Sequence, residues 1–150
     1  MWDDRGDGSS RPRGVVLTLD ILGQGKFSQV LPMASAESIP VNYKALGYDL
    51  DENERPTFKY KIYDSEINDK IRIVDNKYLE RIIKVKNSKN NLSFNYQIAE
   101  AKSIEKQSEN TYLVDGTYML KVDGASLNTI NGLTILSKPI GTELVYSIIW

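Results

Sequence analysis

Two residue types are missing altogether from this chain of 150 residues: it has no cysteine and no histidine. Without cysteine there can be no disulfide, no thiolate metal site and no thiol nucleophile. Without histidine there is no Ser-His-Asp system and no His-ligated haem, and with both types missing there is no covalently attached haem. The lack of cysteine does not fix the compartment, because a secreted domain of this size can stand without disulfides when its core is adequate. Long apolar runs are also wanting. Nothing approaches the ~18 consecutive apolar residues of a membrane-spanning helix, and the terminal "SIIW" is far too short, so no membrane span is expected. Neither sign of charge dominates, with 19 basic and 20 acidic side chains spread along the chain. Nucleic acid is therefore not an expected partner, since phosphate binding needs a concentrated basic face. The richest basic stretch, "KVKNSKNN" at 84–91, reads as a lysine-protected hairpin tip.

What the chain does have is alternation. In "LSFNYQI", Leu92, Phe94, Tyr96 and Ile98 share one phase and Ser93, Asn95 and Gln97 the other, the mark of a half-buried strand. "TFKYKIY" at 57–63 does the same, with Phe58, Tyr60 and Ile62 directed to the core of a central hairpin; Pro56 opens this strand, where its missing N–H costs no ladder bond. Asp64-Ser65 is the expected turn into "EINDKIRIV" at 66–74. Further strands are expected at 14–19, 27–31, 42–50 and 78–86; the last has some helical spacing, but its β-branched "IIKV" favours a strand. Asp115-Gly116 and Asn131-Gly132 are type I′ hairpin signals, and with Asp123-Gly124 as their link, residues 111–137 should form a four-stranded meander. "TELVYSIIW" closes the chain as one more strand.

These short strands, separated by turn residues, predict an all-β fold, an antiparallel β-sandwich or barrel with a C-terminal β-meander. Residues 1–13 read as a polar lead-in or linker and 14–150 as a single domain. A strand running up to Trp150 suggests a segment of a longer polypeptide, with any export signal upstream.

Candidate sites are sparse. "DDRGDG" places Asp3, Asp7 and Gly8 like parts of a calcium loop, but Arg5 and Gly14 occupy two ligand positions, so an EF-type site is rejected. "GQGKF" at 23–27 lacks phosphate-loop spacing and reads as a hairpin turn. The carboxylates Asp49, Asp51, Glu52 and Glu54, with Asp64, Glu66 and Asp69 across the next strand, could supply a glycosidase pair about 5 to 9 Å apart; "DLDENER" reads more simply as a solvated loop. Tyr43, Tyr48, Tyr60, Tyr63 and Tyr118 could stack a sugar if exposed, although such tyrosines more often belong to core or rim.

"GYDLDENERPTFKYKI" followed by "INDKI" resembles a domain of the large exported multidomain c-type cytochrome and haem-binding proteins of planctomycetes and Bacteroidetes. The matching positions are Gly47, Tyr48, Leu50, Asp51, Arg55, Pro56, Thr57, Phe58, Tyr60 and Asp69, with Trp2, Gly8, Arg11, Pro12 and Gly14 upstream. The resemblance spans residues 2 to about 85. It implies a periplasmic or secreted setting and a β-rich accessory module beside a haem domain. The chain departs from the haem-bearing parts, having no Cys-x-x-Cys-His, so no cofactor is expected in this segment.

Three functions follow as expectations. The first is a non-catalytic accessory module serving domain packing or substrate presentation, its partners being neighbouring domains of the parent chain. The second is a carbohydrate-binding module using exposed tyrosines, and the third a carboxylate-dependent glycosidase. Tyr48, Asp51, Arg55, Tyr60 and Asp69 are the candidate ligand-binding residues.

Overall fold

The structure is a computed structural model and describes residues 2–3, 11–12, 26–30, 43–86 and 93–150. Those residues contain strands and turns and no helix. A two-residue ribbon pairs β1 (Trp2–Asp3) with β2 (Arg11–Pro12). The remaining strands are β3 (Lys26–Val30), β4 (Lys44–Leu50), β5 (Pro56–Ile62), β6 (Ser65–Val74), β7 (Tyr78–Lys86), β8 (Ser93–Ala101), β9 (Ile104–Lys106), β10 (Thr111–Val114), β11 (Tyr118–Lys121), β12 (Ser126–Ile130), β13 (Leu133–Ile140) and β14 (Glu143–Ile149). They form an eight-stranded sheet ordered β4-β5-β6-β7-β14-β11-β10-β9 and a four-stranded sheet ordered β12-β13-β8-β3. All pairings are antiparallel. The architecture is a sandwich rather than a closed barrel.

Turn chemistry accounts for the hairpins. Asn131 and Gly132 have φ of 51° and 79° between Ile130 and Leu133, the two-residue type I′ connection that their sequence predicts. Asp115 and Gly116 are also left-handed. The β5–β6 turn falls one residue earlier than expected, on Tyr63 and Asp64 with φ of 49° and 61°. A buried tyrosine in the left-handed region is unusual; here its hydroxyl donates to the Phe27 carbonyl at 3.4 Å, and its ring stacks on Phe94.

The expected four-stranded meander is two hairpins in different sheets. The β10–β11 hairpin belongs to the large sheet and the β12–β13 hairpin to the small one, so Asp123-Gly124 carries the chain across the sandwich. Of the "KVKNSKNN" stretch, 87–91 lie outside the described residues; Lys84 and Lys86 lie in β7 of the large sheet, and the next described strand, β8, lies in the small sheet, so β7 and β8 do not pair as a hairpin. Alternating residues can show which phase is apolar, but not which sheet a hairpin joins. The expected strand at 14–19 and the turn residues 23–25 lie outside the described residues.

Paired residues point to the same face of a sheet, so the register identifies the core. Ile67, Ile83 and Leu144 meet Phe94, Tyr96, Leu136 and Ile140 between the sheets, each worth about 1.5 to 3 kcal/mol as a fully buried side chain. The small sheet covers only part of the large one. On the inner face of β6, Ser65, Ile67 and Asp69 are buried, whereas Ile71 and Ile73 farther along the same face are exposed. Phe58 therefore departs from the core assignment, being 51% exposed, whereas Ile62 is buried and the half-buried Tyr60 packs against the edge of the core. β5 is not central but next to the edge strand β4, every residue of which is exposed. Among the described residues, no helix is long and apolar enough to cross a membrane.

Candidate functional site

The wing formed by β4, β5 and the far half of β6 holds most of the sequence-selected residues. A β-bulge sets its surface. Ala45 pairs with Tyr60 and Gly47 with Lys59, leaving Leu46 as the extra residue, and Gly47 adopts φ of 102°. That added residue brings Tyr48 opposite Phe58, on the same face as Ala45. Tyr48 is 61% exposed and its ring centre lies 6.2 Å from that of Phe58. Leu50 and Ile71 lie on the same face, also exposed. The result is an apolar and aromatic shelf, continuous with the core-facing side of the large sheet but lying beyond the cover of the small one.

At the inner margin of the shelf lies a buried polar network. Asp69 accepts from Arg81 through Nε at 2.9 Å and Nη2 at 2.6 Å, and from the Tyr60 hydroxyl at 3.3 Å. Arg81 also donates to the Tyr146 hydroxyl at 3.1 Å and lies over the Tyr96 ring. Desolvation raises the Tyr60 phenol well above its ordinary value, and the Asp69 charge adds to the rise. Desolvation likewise raises Tyr96. Burial opposes the Arg81 charge, yet its hydrogen bonds to Asp69 more than restore it. The network is an ion pair with both carboxylate oxygens occupied, and its arrangement is that of a structural seam rather than a proton-transfer centre.

Asp51 has a different task. Its Oδ1 accepts from the backbone N–H groups of Asn53 and Arg55, each at 3.0 Å, and its Oδ2 accepts from Lys70 at 2.8 Å. These contacts hold the carboxyl at about 2, the Lys70 hydrogen bond being the largest cause. Asp51 thus organises the β4–β5 loop in the manner of an Asx turn; of "DLDENER", residues 51–55 are the expected loop, while Asp49 and Leu50 end β4. Lys70 lies on the outer face and its neighbour Asp69 on the inner face. Asp51 and Asp69 consequently reach opposite sides of the sheet and cannot flank one glycosidic bond.

The five candidates do not converge. Tyr60 and Asp69 are brought together, Tyr48 joins Phe58 on the shelf, Asp51 holds the loop, and Arg55 is exposed at the loop's end. Of the other tyrosines considered, Tyr43 is exposed and packs at 5.7 Å against Tyr60, while Tyr63 and Tyr118 are buried. Burial pushes the Tyr118 phenol up to about 12. Arg81 and Tyr146 were missed in the sequence, although one signal was present: Arg81 occupies the same phase as Leu79, Ile83 and Val85, and Asp69 that of Ile67 and Ile71. Two opposite charges, each on an apolar phase, require each other.

The outer face of β5–β7 is rich in cations, but they alternate with partners. Lys59 pairs with Asp49, Arg72 with Glu80 at 2.8 Å, and Lys84 with Glu143 at 3.1 Å. Among the described residues no cluster of three acidic side chains could hold a metal ion; Asp7 and Gly8 of the rejected calcium loop lie outside them. Comparison with protein families, with characterised proteins and with solved structures yields no match to this chain.

Proposed function

We propose that the protein is a non-catalytic β-sandwich module whose working surface is the β4–β6 shelf, packed in the full-length protein against a neighbouring domain. The observation that carries this reading is the open inner face: Tyr48, Leu50, Phe58 and Ile73 are each more than half exposed, on a surface continuous with a hydrophobic core. Contiguous exposed apolar surface of this kind marks interaction sites in soluble proteins. Its mixture of aliphatic and aromatic side chains resembles the centre of a protein interface. The exported, cytochrome-linked setting and a haem-domain neighbour are parts of the same proposal and rest on the resemblance of the Gly47–Asp69 segment.

Sugar stacking by tyrosines fits the shelf less well. The Tyr48 and Phe58 planes are inclined by 59° and those of Tyr43 and Tyr60 by 38°, whereas a sugar platform needs rings lying side by side in one plane. To test the reading, hydrogen exchange of β4 is compared in the isolated chain and in a longer polypeptide carrying its natural flanks. Protection of residues 44–50 only in the longer protein is expected, and its loss with Phe58→Ser. Equal exchange in both proteins, or turnover of a glycoside panel by the isolated chain, would refute it.

A further inference from the structure

The second surface of interest lies on the opposite side of the sandwich, on the outer face of the four-stranded sheet. We propose that this face is a binding groove for a neutral carbohydrate chain. The groove has a volume of about 500 Å³, a size suited to a small ligand or a few sugar units. It lies along β3, β8, β13 and β12, where a register shift between Leu136 and Ser137 bends the sheet.

Its chemistry is what distinguishes it. None of the described residues lining it is charged; its polar lining is Ser28, Asn95, Gln97, Asn128, Thr129 and Ser137. Two concave surfaces of the large sheet are by contrast charged, one lined by Glu80, Lys121 and Asp123 and one by Lys70, Arg72, Lys84 and Lys86. A carboxamide both donates and accepts, as does a sugar hydroxyl, so an array of amides and hydroxyls satisfies a polyhydroxyl ligand in either direction. Charged residues stand beside this uncharged stretch: Glu100 pairs with Ile135, and Lys26 with Gln97.

Part of the array is already fixed. Ser28 donates to the Asn95 carbonyl at 3.3 Å, and Gln97 donates to Glu100 at 2.7 Å. The side-chain amides of Asn95 and Asn128 make no hydrogen bond to another described residue, and in this proposal they are the partners of the sugar hydroxyls. Ile130, 54% exposed, and Ile135 supply an apolar flank for the C–H face of a sugar ring. This inference is independent of the shelf: it needs neither a neighbouring domain nor Tyr48.

The test is a titration of the full chain with neutral hexasaccharides of β-1,4-glucan, xylan, mannan and α-1,4-glucan, read by calorimetry and by the side-chain amide resonances of Asn95 and Asn128. Saturable binding of at least one is expected, weakened roughly three- to tenfold by Asn95→Ala and by Asn128→Ala, the scale of one lost hydrogen bond. Both variants should melt like the parent protein, and Tyr48→Ala should bind normally. The inference fails if no hexasaccharide shifts those resonances, if neither asparagine variant weakens binding, or if Tyr48→Ala abolishes it. It also fails if oligogalacturonate, an anionic chain, binds the groove more tightly than every neutral one.

Discussion

The two wings of the large sheet are built from the same alternating pattern and end in different surroundings. β7, β14, β11 and β10 lie beneath the small sheet, so Ile83, Leu144, Ile148 and Tyr112 are buried. β4 and the far half of β6 carry residues of equal hydrophobicity on the same face, yet Leu50, Ile71 and Ile73 remain open. Alternation therefore reports which side of a strand is apolar; whether that side is covered depends on how far the opposing sheet extends. The difference locates the boundary of the core at the Asp69–Arg81 pair.

The largest effect should come from that boundary. Arg81→Ala leaves a buried carboxylate without its partner and should cost about 3 to 5 kcal/mol, read as a lowered denaturant midpoint. Exchange of both residues for apolar ones of similar volume should recover most of the loss, since burying the pair is itself costly. Within the covered wing, Leu144→Ala removes a fully buried side chain and should cost about 2 to 5 kcal/mol. Phe58→Ser on the open wing should change stability by no more than about 0.5 kcal/mol in the isolated chain. A Phe58→Ser loss as large as that of Leu144→Ala would erase the distinction between the wings.

Titration sharpens the comparison further. The Tyr60, Tyr96 and Tyr118 phenols are raised in the folded state by desolvation. The stability they contribute is complete below their unfolded value of 10.0. It is lost as pH rises through the folded value, which is about 12 for Tyr118. Alkaline unfolding should set in over this interval, with the buried phenols ionising only as the fold opens; smooth ionisation of all tyrosines without unfolding would contradict it. The smallest effect belongs to Asp51. Its depressed carboxyl adds stability above 3.8 that disappears as pH falls towards about 2, and Asp51→Asn should flatten this acid limb without altering the alkaline one.

Much of the fold was legible in the sequence because it is local. The type I′ turn at Asn131-Gly132 and the strands at 57–62, 66–74 and 78–86 follow from dipeptide chemistry and period two alone. Sheet membership was not, because the β10–β11 and β12–β13 hairpins look alike in sequence and only long-range packing assigns them to different sheets. Phe58 reads as core for the same reason: its phase is apolar, and nothing local records where the small sheet ends. Of the candidate site, the sequence marks Asp69 and Tyr60 but not what they bind, since Arg81 lies 12 residues on and its partner Tyr146 a further 65. The groove on the small sheet escaped notice because its residues are ordinary outward-facing polar positions. Only the register between β3, β8, β13 and β12 gathers them.

Native-state hydrogen exchange on the isolated chain tests the central claim most directly, because it reads covered and open wings in one experiment. The backbone amides of β14 and β7 should exchange last, at the rate of global unfolding, and those of β4 should exchange early through local opening. Protection of residues 44–50 equal to that of 143–149 would mean that the wing is covered within this chain, and the shelf would then be core.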